Sequence, residues 1–200
     1  MEIPSWEGEG VGKSLTAQGT GHRTQDEENS HPATKRLTVG KEKDSLQKMT
    51  EESIISEFTT KFKPDILELT RKYRLRAVAT IKPDAILRTS EYLYREAGLR
   101  FIIASAVHTK RGFEIYYHFS LDTEGLILDL HVILDSSRPE IESLSNMFNA
   151  SNWIEREMHE LFGINFLNHP NQDKLISEGN WAEGVYPYRK EFKSATEGKK

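Results

Sequence analysis

Two histidines and an aspartate on neighbouring predicted strands carry side chains that could bind a metal ion. His118 lies in the alternating segment 113–121, and Asp129 and His131 lie in the alternating segment 126–134. Two imidazoles and a carboxylate are a ligand set that zinc accepts at catalytic sites. The four-residue turn between the segments sets His118 opposite Asp129, so the plainer interpretation is a polar sheet face with a cross-strand pair. A stand-alone metal-dependent enzyme using the three side chains is the alternative.

Other motifs of catalytic sites are incomplete in this chain. The Gly-Lys-Ser at 12–14 ends like a phosphate loop, but Glu7 stands where that loop needs its first glycine. His159-Glu160 opens like a zincin helix, but Gly163 occupies the position of the second histidine and cannot bind zinc. No Gly-x-Ser-x-Gly occurs, and there are no cysteines, which excludes thiol catalysis and cysteine-bound zinc or iron–sulfur clusters. These patterns predict no catalytic centre.

Composition limits the class of protein further. The chain has 200 residues, of which 36% are hydrophobic and 29% are charged, enough for one domain with a tail. The net charge of −4 gives no basic field of the kind that binds nucleic acid. No window approaches the ~20 apolar residues of a membrane span, and the acidic start does not resemble a signal peptide. We therefore expect a soluble chain that reaches a membrane only through a partner.

The chain divides by composition into three parts. Residues 1–48 hold six of the thirteen glycines and charges of both signs without an apolar period, which predicts a disordered tail. Residues 49–163 carry the periodic apolar patterns of a core domain. Residues 164–200 have no strong period and are rich in aromatic and basic side chains, which predicts an extended C-terminal arm, called the arm below.

The patterns within the core predict an α+β fold, a mostly antiparallel sheet of about four strands with helices on one face. Helices are predicted from Thr50, over 65–73, over 84–97 with a stop at Gly98, over 139–148, and over 153–162 with Asn152 as N-cap and Gly163 as stop. Strands are predicted over 75–82, 100–109, 113–121 and 126–134. Matching the apolar faces of the last two strands pairs Leu121 with Leu126, so that paired residue numbers sum to ~247.

The signature of a known family lies at the end of the core and in the arm. It consists of Glu155-Arg156-Glu157, then Glu160-Leu161-Phe162-Gly163-Ile164 with Phe166, then His169-Pro170, and finally Pro187-Tyr188-Arg189-Lys190-Glu191-Phe192. This pattern resembles the 30 kDa subunit family of respiratory complex I. The family includes the C subunit of bacterial NADH:quinone oxidoreductase and matching subunits of F420H2 dehydrogenases and energy-converting membrane-bound nickel–iron hydrogenases. The resemblance covers about residues 75–192 and is strongest from 150 onward.

The resemblance implies a subunit without a cofactor of its own, with iron–sulfur clusters and a nickel–iron or quinone site in partner subunits. The implied partners are a hydrogenase-like large subunit (49 kDa or D type) and a neighbouring iron–sulfur subunit. The chain would lie peripherally on the cytoplasmic side of the cell membrane, supporting assembly and electron transfer. A protein-binding adaptor outside any redox complex is a further alternative.

The signature residues are the expected contact with the large subunit. We expect Glu155, Arg156, Glu157, Arg189 and Lys190 to fix the chain to that partner, since charge-assisted bonds strengthen when partly desolvated. The full predicted interface is Trp153, Glu155, Arg156, Glu157, Glu160, Phe162, Gly163, His169, Pro170, Pro187, Arg189, Lys190 and Phe192.

Two positions depart from the usual family pattern. Asp173 stands where the family commonly has arginine, with only Lys174 keeping a positive charge there, and Tyr188 stands where complex I members commonly have leucine. Both departures favour the hydrogenase or F420H2-type branch over standard complex I.

Overall fold

A computed structural model describes residues 50–177 and 181–193. The tail predicted over 1–48 and parts of the arm lie outside the described residues. The division of the chain into tail, core and arm therefore stays a prediction.

A five-stranded mixed sheet with strand order β1-β2-β5-β4-β3 forms the centre of the fold. Its strands are β1 (Ile66–Tyr73), β2 (Arg76–Ile81), β3 (Arg100–His108), β4 (Phe113–Leu121) and β5 (Leu126–Leu134). Strands β2 and β5 run parallel, and the other neighbours are antiparallel. The α+β class and the mostly antiparallel sheet are thus confirmed, with one strand more than predicted.

The register of β4 and β5 is the predicted one. Phe119 pairs with Leu128 and Tyr117 with Leu130 on the apolar face. The strict alternation of apolar and polar residues determines this register, because a slip of one residue would turn every buried side chain of the strand to the other face of the sheet.

Three helices of the described part of the chain pack on the core. They are α1 (Glu51–Lys61), α2 (Ile86–Glu91), which follows a 3₁₀ turn at Pro83–Ala85 and continues as a π-helical turn at Tyr92–Glu96, and α3 (Asn149–Phe162). Thr50 caps α1, its hydroxyl accepting from the Ser53 N–H at 3.3 Å. Gly163 ends α3 as predicted, with φ +70°. Buried side chains of all three helices and of the sheet form one apolar cluster.

Two segments that were predicted to be helical contain strands instead. Residues 66–73 form the edge strand β1, which pairs with β2 so that Leu69 lies opposite Ala79. A segment of eight residues is too short for its apolar spacing to separate helix from strand. Residues 140–142 form β6 (Glu140–Glu142), which pairs in parallel with β7 (Asn165–Leu167) in a second, two-stranded sheet. This pairing partner comes from more than twenty residues away, so no local pattern reveals it.

Helix α3 begins earlier than its predicted cap. It starts at Asn149, and Phe148 is the residue before it, without a side-chain capping bond. Asn152 therefore lies inside the first turn, and its predicted role as N-cap is wrong. No helix in the described part of the chain is long and apolar enough to cross a membrane.

Candidate functional site

The carboxylate of Glu155 lies inside the protein, on the inner side of α3. It is fully buried and accepts hydrogen bonds from the Leu144 N–H at 2.8 Å and the Ser151 hydroxyl at 2.6 Å, and also from the Ser143 hydroxyl. Burial raises the pKa of Glu155, and these donors together with His169 offset part of that rise. The side chain ties the turn after β6 to α3. Because the carboxylate reaches no surface of the chain, it is not available for the contact with a partner that the sequence predicted.

Glu160 fastens the arm to α3. Its carboxylate is almost completely buried and accepts the N–H groups of Leu175 at 2.7 Å and Ile176 at 2.9 Å, as well as the N–H and the hydroxyl of Ser177. Burial by itself would raise the pKa of this carboxyl. The hydrogen bonds outweigh burial and lower the pKa of Glu160 to about 2.

Two further signature residues hold the arm through its backbone. Arg156 donates to the carbonyl of Asp173 at 2.9 Å and to that of Lys174 at 3.1 Å. The buried imidazole of His169 accepts the Asn171 N–H at Nδ1, at 3.1 Å, so its Nε2 carries the proton and donates to the Asn152 carbonyl at 3.1 Å. Asp173, which departs from the family pattern, thus contacts Arg156 through its backbone carbonyl, which any residue type could supply.

The last part of the arm closes the carboxyl end of α3. Arg189 donates from Nε to the Phe162 carbonyl at 2.6 Å, and its guanidinium lies 4.4 Å from the ring centre of Tyr186. A cation at this end is favoured by the helix dipole. Gly163 sits beneath this pair, where a Cβ would lie 2.5 Å from a carbon of the Tyr186 ring. The glycine therefore both ends the helix and leaves room for the arm.

Sequence reasoning missed several residues that complete these contacts. His108, at the end of β3, accepts the Lys190 N–H at Nδ1, at 3.2 Å, and stacks on Phe113 with ring centres 4.2 Å apart. The other missed partners are Ser143, Ser151, Ser177 and Tyr186. No sequence signal marks His108, Ser143 or Ser177, which lie far from their partners in the chain, or Tyr186, which lies in a segment without periodicity. Ser151 is different, because its i,i+4 spacing from Glu155 on α3 is a signal that could have found the pair.

The rest of the predicted interface ranges from exposed to buried. Trp153 is 69% exposed, and Pro170 and Lys190 are exposed as well. Phe162 is buried and meets the ring of Tyr188 edge to face, with centres 5.6 Å apart, while Tyr188 itself is 61% exposed. Glu157, Pro187 and Phe192 are half-buried, the last packing on Trp181. Contact of these groups with a partner stays a prediction.

The polar face of the main sheet holds the histidines that were candidate metal ligands. His118 Nδ1 lies 2.7 Å from an Asp129 carboxylate oxygen, which confirms the predicted cross-strand pair, and Arg76 binds the same carboxylate at 3.1 Å. His131 belongs to a separate chain of bonds, with Nε2 2.9 Å from Glu114.

Burial is the largest influence on the pKa of His131. It lowers the pKa of this imidazole although Glu114 opposes the effect. The other ring nitrogen, Nδ1, lies 2.9 Å from the Thr80 hydroxyl, so both nitrogens have partners. Within the described residues, no group of three or more His, Asp or Glu side chains has the arrangement of a metal site. The two imidazoles thus serve two separate hydrogen-bond chains.

Comparison with known proteins settles which family this arrangement belongs to. Residues 79–198 match the family described as respiratory-chain NADH dehydrogenase, 30 Kd subunit. The chain belongs to this family. The resemblance drawn from the signature is therefore confirmed.

Individual relatives agree with the family. The chain is 31% identical over 149 residues to the C subunit of the F420H2 dehydrogenase of Methanosarcina mazei, covering 72% of this chain and 92% of that protein. It is 29% identical over 156 residues to the C/D subunit of the NADH-quinone oxidoreductase of Proteus mirabilis, covering 71% of this chain and only 25% of that protein. A chain of the membrane-bound sulfane sulfur reductase, an archaeal respiratory membrane complex, has the same fold, with a TM-score of 0.63 and 21% identity over 74% of this chain and 88% of that one.

Proposed function

We propose that this chain is a non-catalytic peripheral subunit of a complex I-like membrane oxidoreductase, where it docks on a hydrogenase-like large subunit beside an iron–sulfur subunit. It supports assembly of the complex and so electron transfer, on the cytoplasmic side of the membrane. The redox centres belong to the partners. The departures at Asp173 and Tyr188, and the similarity to an F420H2 dehydrogenase subunit, favour the F420H2 or hydrogenase branch.

The observation that carries this proposal is the internal bonding of α3 and the arm. The buried carboxylates of Glu155 and Glu160 accept several hydrogen bonds each, and Arg156 and Arg189 donate to backbone carbonyls of the same chain. A surface held in this way loses little conformational entropy when a partner binds. A rigid docking surface is the role that fits such an arrangement.

Exposed aromatic side chains supply the binding energy on this surface. Trp153 lies one helical turn before Glu157 on α3, and Glu157 lines a groove together with Tyr188 of the arm. Tryptophan and tyrosine are the residue types enriched where most binding energy is concentrated. We therefore place the centre of the contact at Trp153 and Tyr188.

Purification of the complex tests this function. Trp153→Ala and Tyr188→Ala in a tagged full-length chain should each reduce the amount of hydrogenase-like large subunit recovered from solubilised membranes at least ~10-fold, the loss of one hot-spot side chain. Tyr73→Ala is the matched control, because this tyrosine is 74% exposed on β1, at the far edge of the sheet. Equal recovery with all three variants would refute the docking surface. Recovery of no hydrogenase-like subunit with the unaltered chain would favour an adaptor instead.

A further inference from the structure

The two edges of the main sheet differ in how they are protected from pairing with another strand. Edge strand β1 carries Glu68, Arg71 and Lys72, and charged side chains are a usual protection of an edge. Edge strand β3 has no charged residue over 101–107, which reads Phe-Ile-Ile-Ala-Ser-Ala-Val. In the described part of the chain no strand pairs with its outer side. The ladder with β4 has an irregularity between Phe101 and Ile103, and beyond it, over 103–107, alternate residues direct N–H and C=O groups outward.

A groove of about 280 Å³ runs beside β3, between the strand and helix α3. Ile103 and Ser105 from one face of the strand and Ala104 and Ala106 from the other all line it. Because both faces contribute, the groove follows the outer edge of the strand rather than the surface of the sheet. Its opposite wall is mainly apolar and comes from α3 and the arm, including Ile154, Leu161 and Tyr188.

Among the residues that the structure describes, one charged side chain lines this groove. Glu157 makes no hydrogen bond or ion pair with any residue in the ranges 50–177 and 181–193. A carboxylate beside an apolar wall loses part of its hydration when the groove is filled, so it favours an occupant that brings a cation. The groove therefore suits an extended segment with apolar side chains at alternate positions and a lysine or arginine opposite Glu157.

We propose that β3 and this groove accept an extended segment of a partner subunit, which adds a strand to the sheet edge. The main chain of the segment pairs with the outward N–H and C=O groups of β3, its alternate apolar side chains enter the groove, and its cation meets Glu157. This inference rests on the proposed function, since the partner is a subunit of the same complex.

Two other occupants fit the groove less well. A second copy pairing through its own β3 would offer one cation, Arg100, which already binds Asp122 at 2.9 Å. In residues 1–49 of this chain, alternating apolar patterns are at most three residues long, as in Leu37-Thr38-Val39. A strand of about five residues, the usual length, needs more apolar positions than that.

Amide hydrogen exchange on the purified complex tests the added strand directly. In the complex isolated from source membranes through a tagged full-length chain, alternate amides of 103–107 should exchange at least ~10-fold more slowly than in the isolated chain, because new ladder bonds protect them. Amides of the other edge, β1, should not change. Recovery of the large subunit with unprotected β3 amides would overturn this inference and leave the proposed function standing. Equal protection in the isolated chain would also overturn it, since this chain or a second copy would then fill the edge.

Charge variants give an independent test. Val107 is 46% exposed on β3, and Val107→Lys should reduce partner recovery at least ~5-fold by placing a charge on the edge. Leu67→Lys is the matched control, because Leu67 is 62% exposed on β1. Glu157→Lys should reduce recovery as well, by repelling the segment's cation. The Tm of each variant is measured on the isolated chain to show that it folds normally. If Val107→Lys and Glu157→Lys both keep the normal Tm and still recover the full amount of partner, the proposal is overturned.

Discussion

Replacing Glu160 with glutamine should release the arm from α3 without unfolding the core. The glutamine amide has the shape of the carboxylate, but its NH2 group replaces one acceptor oxygen. One oxygen of the native carboxylate receives the N–H groups of Leu175 and Ile176, and the other receives the N–H and hydroxyl of Ser177. Whichever way the amide turns, a donor therefore faces donors, and buried N–H groups lose their acceptor.

The size of the effect follows from the lowered pKa. The pKa of Glu160 falls from 4.5 to about 2, and each unit corresponds to about 1.4 kcal/mol of preference for the ionised form, so the carboxylate stabilises the closed arm by about 3 kcal/mol. Losing about 2–3 kcal/mol of this should raise the exchange rates of the three amides by roughly 30- to 160-fold. Core amides of β4 and β5 should keep their rates, because the released segment packs outside the sheet.

The pH dependence provides a second measurement on the same variant. Because the folded pKa is the lower one, the stabilisation is fully present above pH 4.5 and is lost as the pH falls toward 2. The difference between wild type and Glu160→Gln should therefore be constant from pH 7 to about 5 and shrink below that. Glu183→Gln is the control, since Glu183 is exposed on the arm. Amide exchange at 175–177 within twofold of wild type would refute the anchoring role.

Gly163→Ala should lower the free energy of unfolding by about 1–2 kcal/mol because of its left-handed backbone, and further because the Tyr186 ring and the Arg189 guanidinium must move. Gly184→Ala, at φ +77° with open space around it, should show the backbone cost alone. Equal shifts of the urea midpoint in the two variants would contradict the closure of α3 by the arm. Because burial lowers the pKa of His131, the unfolded chain binds a proton there more readily, and the free energy of unfolding should fall as the pH drops below 6.5. His131→Gln should flatten that part of the pH profile, and an unchanged slope in urea titrations at several pH values would exclude this imidazole as its source.

Much of the fold follows from patterns that are local in the sequence. Alternation over β4 and β5 determined both strands and their register, since a one-residue slip would expose every buried side chain. Gly163 marked the end of α3 because glycine adopts a positive φ without steric cost. The spacing of signature residues identified the family, although it did not show what each residue contacts.

The tertiary structure alone decided the roles of the charged signature residues. In sequence, Glu155 and Glu160 look like the solvated or partner-facing side of a helix. In the fold they are buried, because Ser143 and Leu144 on one side and residues 175–177 on the other supply donors that offset the cost of removing a carboxylate from water. Strand β6 likewise exists because β7 lies beside it. Burial of charge and parallel pairing depend on contacts between distant segments, and local periodicity carries no information about such contacts.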